Sequence, residues 1–321
     1  MIVCIGEAVI DMVQTNVPGL GEVFLPLPGG CSYNTSIAIS RLGTPAAFLG
    51  RLSTNFFGEI LVKRLRENNV RDDLLIRCDQ NSILAFVRIE KGKDPQYAFY
   101  DEGTSDRFLL PENLKPLPAE TTCIVFGSIS MTMEPIASTI EKLILKEAER
   151  KKSVIALDPN IRPIMIGDRD AYIKRFEKWV GASTITKISS EDLEYIFPNT
   201  EPEEALRKII DMGSRLAIAT LGPNGAIAML HCADGVIRVS ASAAQIPEVA
   251  DTVGAGDTFH GAFLSWLHQR GKMSHNAIAG LNENDLYDAL VFANKAAAIV
   301  CTRRGAEPPN MEEIEKLSIE K

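Results

Sequence analysis

With 321 residues, 45% hydrophobic and 24% charged, the chain has the make-up of an ordinary globular protein and is long enough to bury a large core. A formal charge of -8 with no long basic run excludes nucleic acid and anionic membrane as main partners. No apolar stretch approaches the ~18 residues of a membrane span, the opening MIVCIGEAVIDMV carries Glu7 and Asp11 and so is no signal peptide, and the six cysteines lack C-x-x-C spacing and read as reduced thiols of a cytoplasmic protein.

Taken in chain order, Ile2–Ile5 reads as a buried strand. The stretch 12–28 holds Pro18, Gly19, Gly21, Pro26 and Pro28 with short β-like pieces between them. Asn34–Leu42 reads as a helix stopped by Gly43, Ala46–Leu49 as a strand, and Phe57–Asn69 as a helix from the spacing of Phe57, Ile60, Leu61 and Leu65. Residues 83–100 read as two strands joined by a turn at Lys91–Pro95. With 12–28 they predict a small sheet projecting from the body, inserted at about 12–28 and 83–104.

Strand Cys123–Phe126, helix Pro135–Lys152, strands Val154–Leu157 and Ile185–Ile188, helix Glu203–Met212 and strand Leu216–Thr220 follow. A hairpin then turns at Asp234-Gly235. Alternation of this kind predicts one α/β domain over 1–321, a mostly parallel central sheet with helices on both faces.

The chemistry concentrates in DTVGAGDTFHGAF, residues 251–263. Gly254 and Gly256 leave main-chain N–H groups free to approach an anion, and the apolar spacing of Phe259, Phe263, Trp266 and Leu267 marks a helix starting near Gly256. A helix N-terminus offers unpaired N–H donors and the positive dipole end, which suits a phosphoryl group in transfer. Asp257 placed there can accept a hydroxyl proton. On residue types alone, Asp257 serves equally as a helix cap and the glycines as a turn. Neither the dinucleotide glycine fingerprint nor G-x-x-x-x-G-K-[ST] is present, since Phe259 stands at the third glycine position.

This stretch resembles the second signature of the ribokinase, or PfkB, family of carbohydrate kinases. Gly29-Gly30-x-x-x-Asn34 resembles the first, and the likeness runs from Gly6-Glu7 to FANKAAAIVCTRRGAEPP. The resemblance implies a ribokinase-like fold with a β-sheet lid, ATP and Mg²⁺ as reactants, and Asp257 as base. It makes the amides of Gly254, Ala255 and Gly256 the anion hole.

It further implies sugar contacts at Asp11, Gly29, Gly30 and Asn34, although Asn34 alone reads as a helix cap. Thr220, Gly222 and Gly225 resemble the turn over the ATP phosphates, Lys187 lies on the nucleotide side, and Asn294 with Ala296–Ala298 resembles the adenine-side helix. A monovalent cation, K⁺, would sit between the loops Asp251–Val253 and Arg303–Ala306, held by main-chain carbonyls. The family's metal-linked Asn-x-x-Glu is here Ser189-x-x-Asp192 beside Glu191. The shorter aspartate implies contact with Mg²⁺ through water.

YAFYDEGTSDR, residues 97–107, resembles the lid of fructokinases and brings Tyr100 toward the sugar. Related 2-keto-3-deoxygluconate kinases carry an Arg where Asp101 and Glu102 stand, and these acids would repel a keto acid. Arg162, in Asp158-Pro-Asn-Ile-Arg, fits either substrate. D-fructose phosphorylated on a terminal hydroxyl is the favoured reading. Another neutral sugar, a keto acid or a non-catalytic sensing role are the alternatives. Exposed lid edges and family habit imply a homodimer joined through the lids.

Overall fold

Runs that are apolar along their whole length become strands buried on both sides. In this computed structural model, which describes residues 1–88, 96–233 and 235–317, the main sheet has eight strands. Their order is Gly235–Ala241, Ala226–Cys232, Leu216–Thr220, Ile185–Ser189, Val154–Asp158, Cys123–Gly127, Ile2–Ile5, Ala46–Leu49. Pairing is parallel from Ala46–Leu49 through to Leu216–Thr220 and antiparallel only in the hairpin beyond.

The pleat of Ile2–Ile5 sends Ile2 and Cys4 into one core with Tyr33, Phe48 and Phe263, and Val3 and Ile5 into another with Phe126 and Trp179. Helices Cys31–Arg41, Ala255–Gln269 and Glu283–Cys301 cover the first face, and Ile136–Arg150, Arg169–Ala182 and Pro202–Asp211 the second. This is the ribokinase-like α/β arrangement the sequence implied.

The helices differ from the sequence expectation in three places. The helix predicted to start at Asn34 starts at Cys31, because Gly30 at φ 111° turns the chain and serves as N-cap. Asn34 is therefore inside the helix, its N–H bonded to Gly30 O at 2.8 Å, and its side chain is free for other work. Arg169–Ala182 and Ser190–Ile196 are helices beyond those expected, the first burying Tyr172, Phe176, Trp179 and Val180 at helical spacing. The second has only Leu193 and Ile196 as buried apolar residues.

The small sheet starts earlier than expected, at Val9, and orders its strands Gly21–Gly29, Val9–Val17, Ile83–Arg88, Gln96–Tyr100. Pro26 and Pro28 lie on its edge strand, where a missing N–H breaks no ladder. The predicted turn Lys91–Pro95 lies outside the described residues, as does Asp234, although Cys232 pairs with Gly235 at that hairpin.

Register sorts the lid's two faces. Asp11 pairs with Leu27 and Ala85, and Ala85 with Phe99, so these four share one face. On the other, Phe86 packs edge-on against Phe24 at 5.0 Å and Tyr100 at 5.4 Å between ring centres. No helix among the described residues is long and apolar enough to cross a membrane.

Candidate active site

Asp158, Ser189 and Thr220 end adjacent parallel strands. Ligands of open α/β sheets bind outside these carboxyl ends. Helix Ala255–Gln269 starts at the same level. Its N-cap, Gly254, has φ 77°, and a methyl there would stand 2.6 Å from Ala306 Cβ, so only glycine fits. Among the described residues the N–H groups of Gly254 and Gly256 have no partner. Ala255 differs from its expected part in the anion hole, since its N–H closes a turn onto Thr252 O at 3.2 Å.

Asp257, on the first turn of this helix, is buried. Its Oδ2 accepts from Asn34 Nδ2 at 2.9 Å and its Oδ1 from Asn160 Nδ2 at 3.2 Å. Burial raises its carboxyl pKa, the Asn34 bond opposes this, and the Asp158 carboxylate adds to the rise. The result is an anchored carboxylate whose ionised form is costly, as a proton acceptor requires.

Beneath it lies a buried ion pair. Lys187 Nζ bonds Asp158 Oδ2 at 3.0 Å, with both side chains under 4% exposed (3% and 1%). Burial alone would depress the Lys187 pKa, but the Asp158 and Asp192 carboxylates outweigh it and raise it. A methyl on Gly256 would stand 3.0 Å from Lys187 Nζ, so this ammonium sits directly under the glycine-rich turn. His260 Nδ1 lies 3.8 Å from the same Asp158 oxygen, and burial depresses its pKa to about 4, leaving it neutral.

Donor atoms of Cys31, Asp158 and Asp257 fall within 4.8 Å of one another. Lys187 already neutralises Asp158 through Oδ2 and both Asp257 oxygens hold amide donors, so the charge of the cluster is largely met from within, with Asp158 Oδ1 left as its one unpartnered carboxylate oxygen.

Asp11 faces the same space from the lid. Burial pushes its pKa up to about 7, with Asp257 adding and Arg162 opposing. Its carboxylate packs on Gly29, where a Cβ would stand 2.1 Å from Asp11 Oδ2. Arg162 turns its guanidinium onto Asn160 O at 3.3 Å and Ile161 O at 3.0 Å.

Asp251 ties the two predicted cation loops together, accepting from Val253 N at 3.0 Å and Gly305 N at 2.8 Å. Gly222 and Gly225, both at positive φ, bracket a single 3-10 turn after Thr220. Asn294 donates to Ala241 O at 3.1 Å and Ser242 O at 3.0 Å, so its amide nitrogen braces the loop after the edge strand.

Some expected residues are placed elsewhere. Tyr100 is 63% exposed on the lid face opposite Asp11. With Asp101 and Glu102 it borders a cavity of about 560 Å³ that Asp257, Asn34 and Asp11 do not line. Asp101 is paired with Arg107 at 2.6 Å, so its charge is neutralised locally and repulsion of a keto acid falls to the exposed Glu102 alone.

Asp192 accepts from Ile161 N at 2.8 Å and Ser189 N at 3.4 Å. With both oxygens bonded to the main chain and the residue buried, it does not fit direct Mg²⁺ ligation. Glu191 is exposed. Sequence reasoning missed Asn160 and the Asp158–Lys187–His260 cluster. The signal that could have found Asn160 is the Asp158-Pro159 step, which favours a turn just before it.

A family model described as pfkB family carbohydrate kinase matches residues 1–313. A fructokinase of Rhizobium leguminosarum bv. trifolii is 36% identical over 287 residues, 89% of this chain and 85% of that protein. In fold, the chain is similar to fructokinase with bound ATP from Xylella fastidiosa, with TM-score 0.87 at 24% identity, over 98% of this chain and 97% of that one. It is also similar to fructokinase from Vibrio cholerae O395 in its fructose, ADP and calcium ion bound form, with TM-score 0.82 at 24% identity and 98% of each chain covered. With the family match running from the first strand to the last helix, and Asp257 seated on the glycine-led helix that such chemistry needs, this chain belongs to the pfkB family of carbohydrate kinases.

Proposed function

We propose that the protein transfers the γ-phosphate of ATP to a terminal hydroxyl of D-fructose, giving fructose 6-phosphate and ADP. The observation that carries this reading is Asp257, buried and held by two amides, beside the unpartnered N–H groups of Gly254 and Gly256. Asp257 takes the hydroxyl proton as the sugar oxygen attacks phosphorus, and the proton later leaves to solvent. The free amides face the charge that builds on the transferring phosphoryl oxygens, and the buried Lys187 ammonium, paired with Asp158, lies under the turn that carries them. Asp11, across the pocket on the lid, holds sugar hydroxyls, and lid closure keeps water from competing as acceptor.

Fructose as acceptor is supported by the fructokinase relative and by the fructose and ADP named in the Vibrio cholerae structure. Mg²⁺ would arrive with ATP, neutralising phosphate charge, and the exposed Glu191 is the carboxylate that could hold it through water. Asp251 and Gly305 join the two loops between which the family resemblance implies K⁺. A purely sensing role is disfavoured by the intact base and its free donors.

The test is a coupled ADP-release assay with Mg-ATP against fructose, glucose, ribose, tagatose, 2-keto-3-deoxygluconate and adenosine. Strong turnover on fructose alone is expected. Preferred turnover on 2-keto-3-deoxygluconate would overturn the substrate, and turnover on none of them the catalytic reading.

A further inference from the structure

A general base must be aimed as well as ionised, and the Asp257 carboxylate is aimed from both sides. Asn34 holds Oδ2 from helix Cys31–Arg41, and Asn160 holds Oδ1 from the loop after strand Val154–Asp158. Asn160 reaches it through an unusual backbone, with φ 39°, in the left-handed region that asparagine tolerates better than most side chains.

That turn is pinned at each neighbour. Asp158 is locked by Lys187, Pro159 O accepts from Ser128 N at 3.1 Å, and Ile161 N donates to Asp192 Oδ1 at 2.8 Å. Asp192 is itself fixed by a capping box, its N–H donating to Ser189 Oγ at 3.1 Å while its Oδ2 accepts from Ser189 N. A glutamate at this place would overshoot Ile161 N by a methylene, so the aspartate length suits this bridge.

Resting on the kinase reading above, we propose that Asn160 is a positioning residue for the Asp257 base, and that Asp192 acts through the Asn160 turn and not through Mg²⁺. The chain of contacts runs Ser189, Asp192, Ile161 N, Asn160, Asp257. A misplacement of the carboxylate by about 1 Å costs on the order of 10²-fold in rate, and Asn160 is the group that prevents it on the Oδ1 side.

Steady-state kinetics of Asn160→Gly, Asn160→Ala, Asp192→Ala and the double Asn160→Ala/Asp192→Ala test it, with thermal unfolding confirming that each folds. Asn160→Gly keeps the left-handed backbone and removes only the amide. Its kcat should fall roughly 10–100-fold, with KM for fructose and ATP within about threefold of wild type. Asp192→Ala should lose a similar factor at unchanged half-saturating Mg²⁺, and the double variant should be no slower than the worse single.

Full kcat in Asn160→Gly would overturn the amide's role. Multiplicative losses in the double, or a raised Mg²⁺ requirement in Asp192→Ala, would overturn the bridge. Asp257→Asn run alongside separates the two levels. If it keeps full rate Asp257 is not the base and the mechanism above fails, whereas a slow Asp257→Asn with a fast Asn160→Gly removes only this proposal.

Discussion

Replacing Asp257 by asparagine should cost rate without costing much stability, and the surroundings of the side chain say why. In the wild type each carboxylate oxygen accepts one amide N–H, from Asn34 and from Asn160. Asp257→Asn puts an NH₂ group where one of those oxygens stood, so two donors face each other. Left unrelieved, such a clash costs about 1–3 kcal/mol.

Relief is built in. Asn34 Oδ1 is buried without a partner, so turning the Asn34 amide over presents an acceptor to the new NH₂. The variant also loses a buried charge that Asp158 repels. The balance should stay within about 1 kcal/mol, a shift of a few degrees in Tm at most.

Loss of the base should lower kcat by ~10²–10⁴-fold, about 3–5 kcal/mol of barrier. The effect on the barrier therefore exceeds the effect on the fold severalfold. Coupled ADP release gives kcat, ATP titration gives affinity, and thermal unfolding gives Tm. Because burial raises the Asp257 pKa, the wild-type kcat/KM should drop, as pH falls, at a pH above the ordinary carboxylate range. The variant's residual rate should lack that limb. Near-wild-type kcat, or a rate loss matched by extensive unfolding, would refute the reasoning.

Three further outcomes are expected. Asp106 is fully buried, bonded to Ala8 N and Ser105 Oγ, and burial first of all raises its pKa to about 7. A raised folded-state pKa gives stability that is complete below about pH 4 and lost as pH rises to about 7. Asp106→Asn should thus gain on wild type between pH 4 and 8, by on the order of 4 kcal/mol, and an unchanged gap in denaturant unfolding refutes it. Lys187→Met should destabilise by about 3–5 kcal/mol by stranding Asp158, and adding Asp158→Asn should restore most of it; equal stability of the single and double variants counts against the pair. Phe24 and Tyr100, 43% and 63% exposed on the lid face away from Asp11, are proposed to meet a second copy. Phe24→Glu with Tyr100→Glu should convert a dimer to a monomer by light scattering, and a wild-type monomer removes the idea.

What the sequence made legible was what neighbouring residues encode. Ile2–Ile5, Ala46–Leu49 and Leu216–Thr220 end where their apolar runs end, because strands buried on both faces need nothing from afar to be recognised. The glycine-led helix carrying Asp257 is local too, its start fixed by the positive φ of Gly254. Tyr100 was misplaced because side chains alternate across a strand, so a residue assigned one position out of register changes face. Phe99, not Tyr100, shares the Asp11 face.

Asn34 and Asn160 were harder for a different reason. They lie 223 and 97 residues from Asp257 in the chain, and only the packing of two helices and a strand-end turn brings them to it. As single letters, one looks like a helix cap and the other like a turn residue after proline. Ser189-x-x-Asp192 looks like a weakened metal motif until Ile161 N is seen on its carboxylate. The residues that perform the chemistry are thus encoded locally, while those that aim it are encoded by tertiary register. The family likeness names Asn34 as a sugar contact and passes over Asn160, so the aiming role is what a sequence match shows least and where directed variants will teach most.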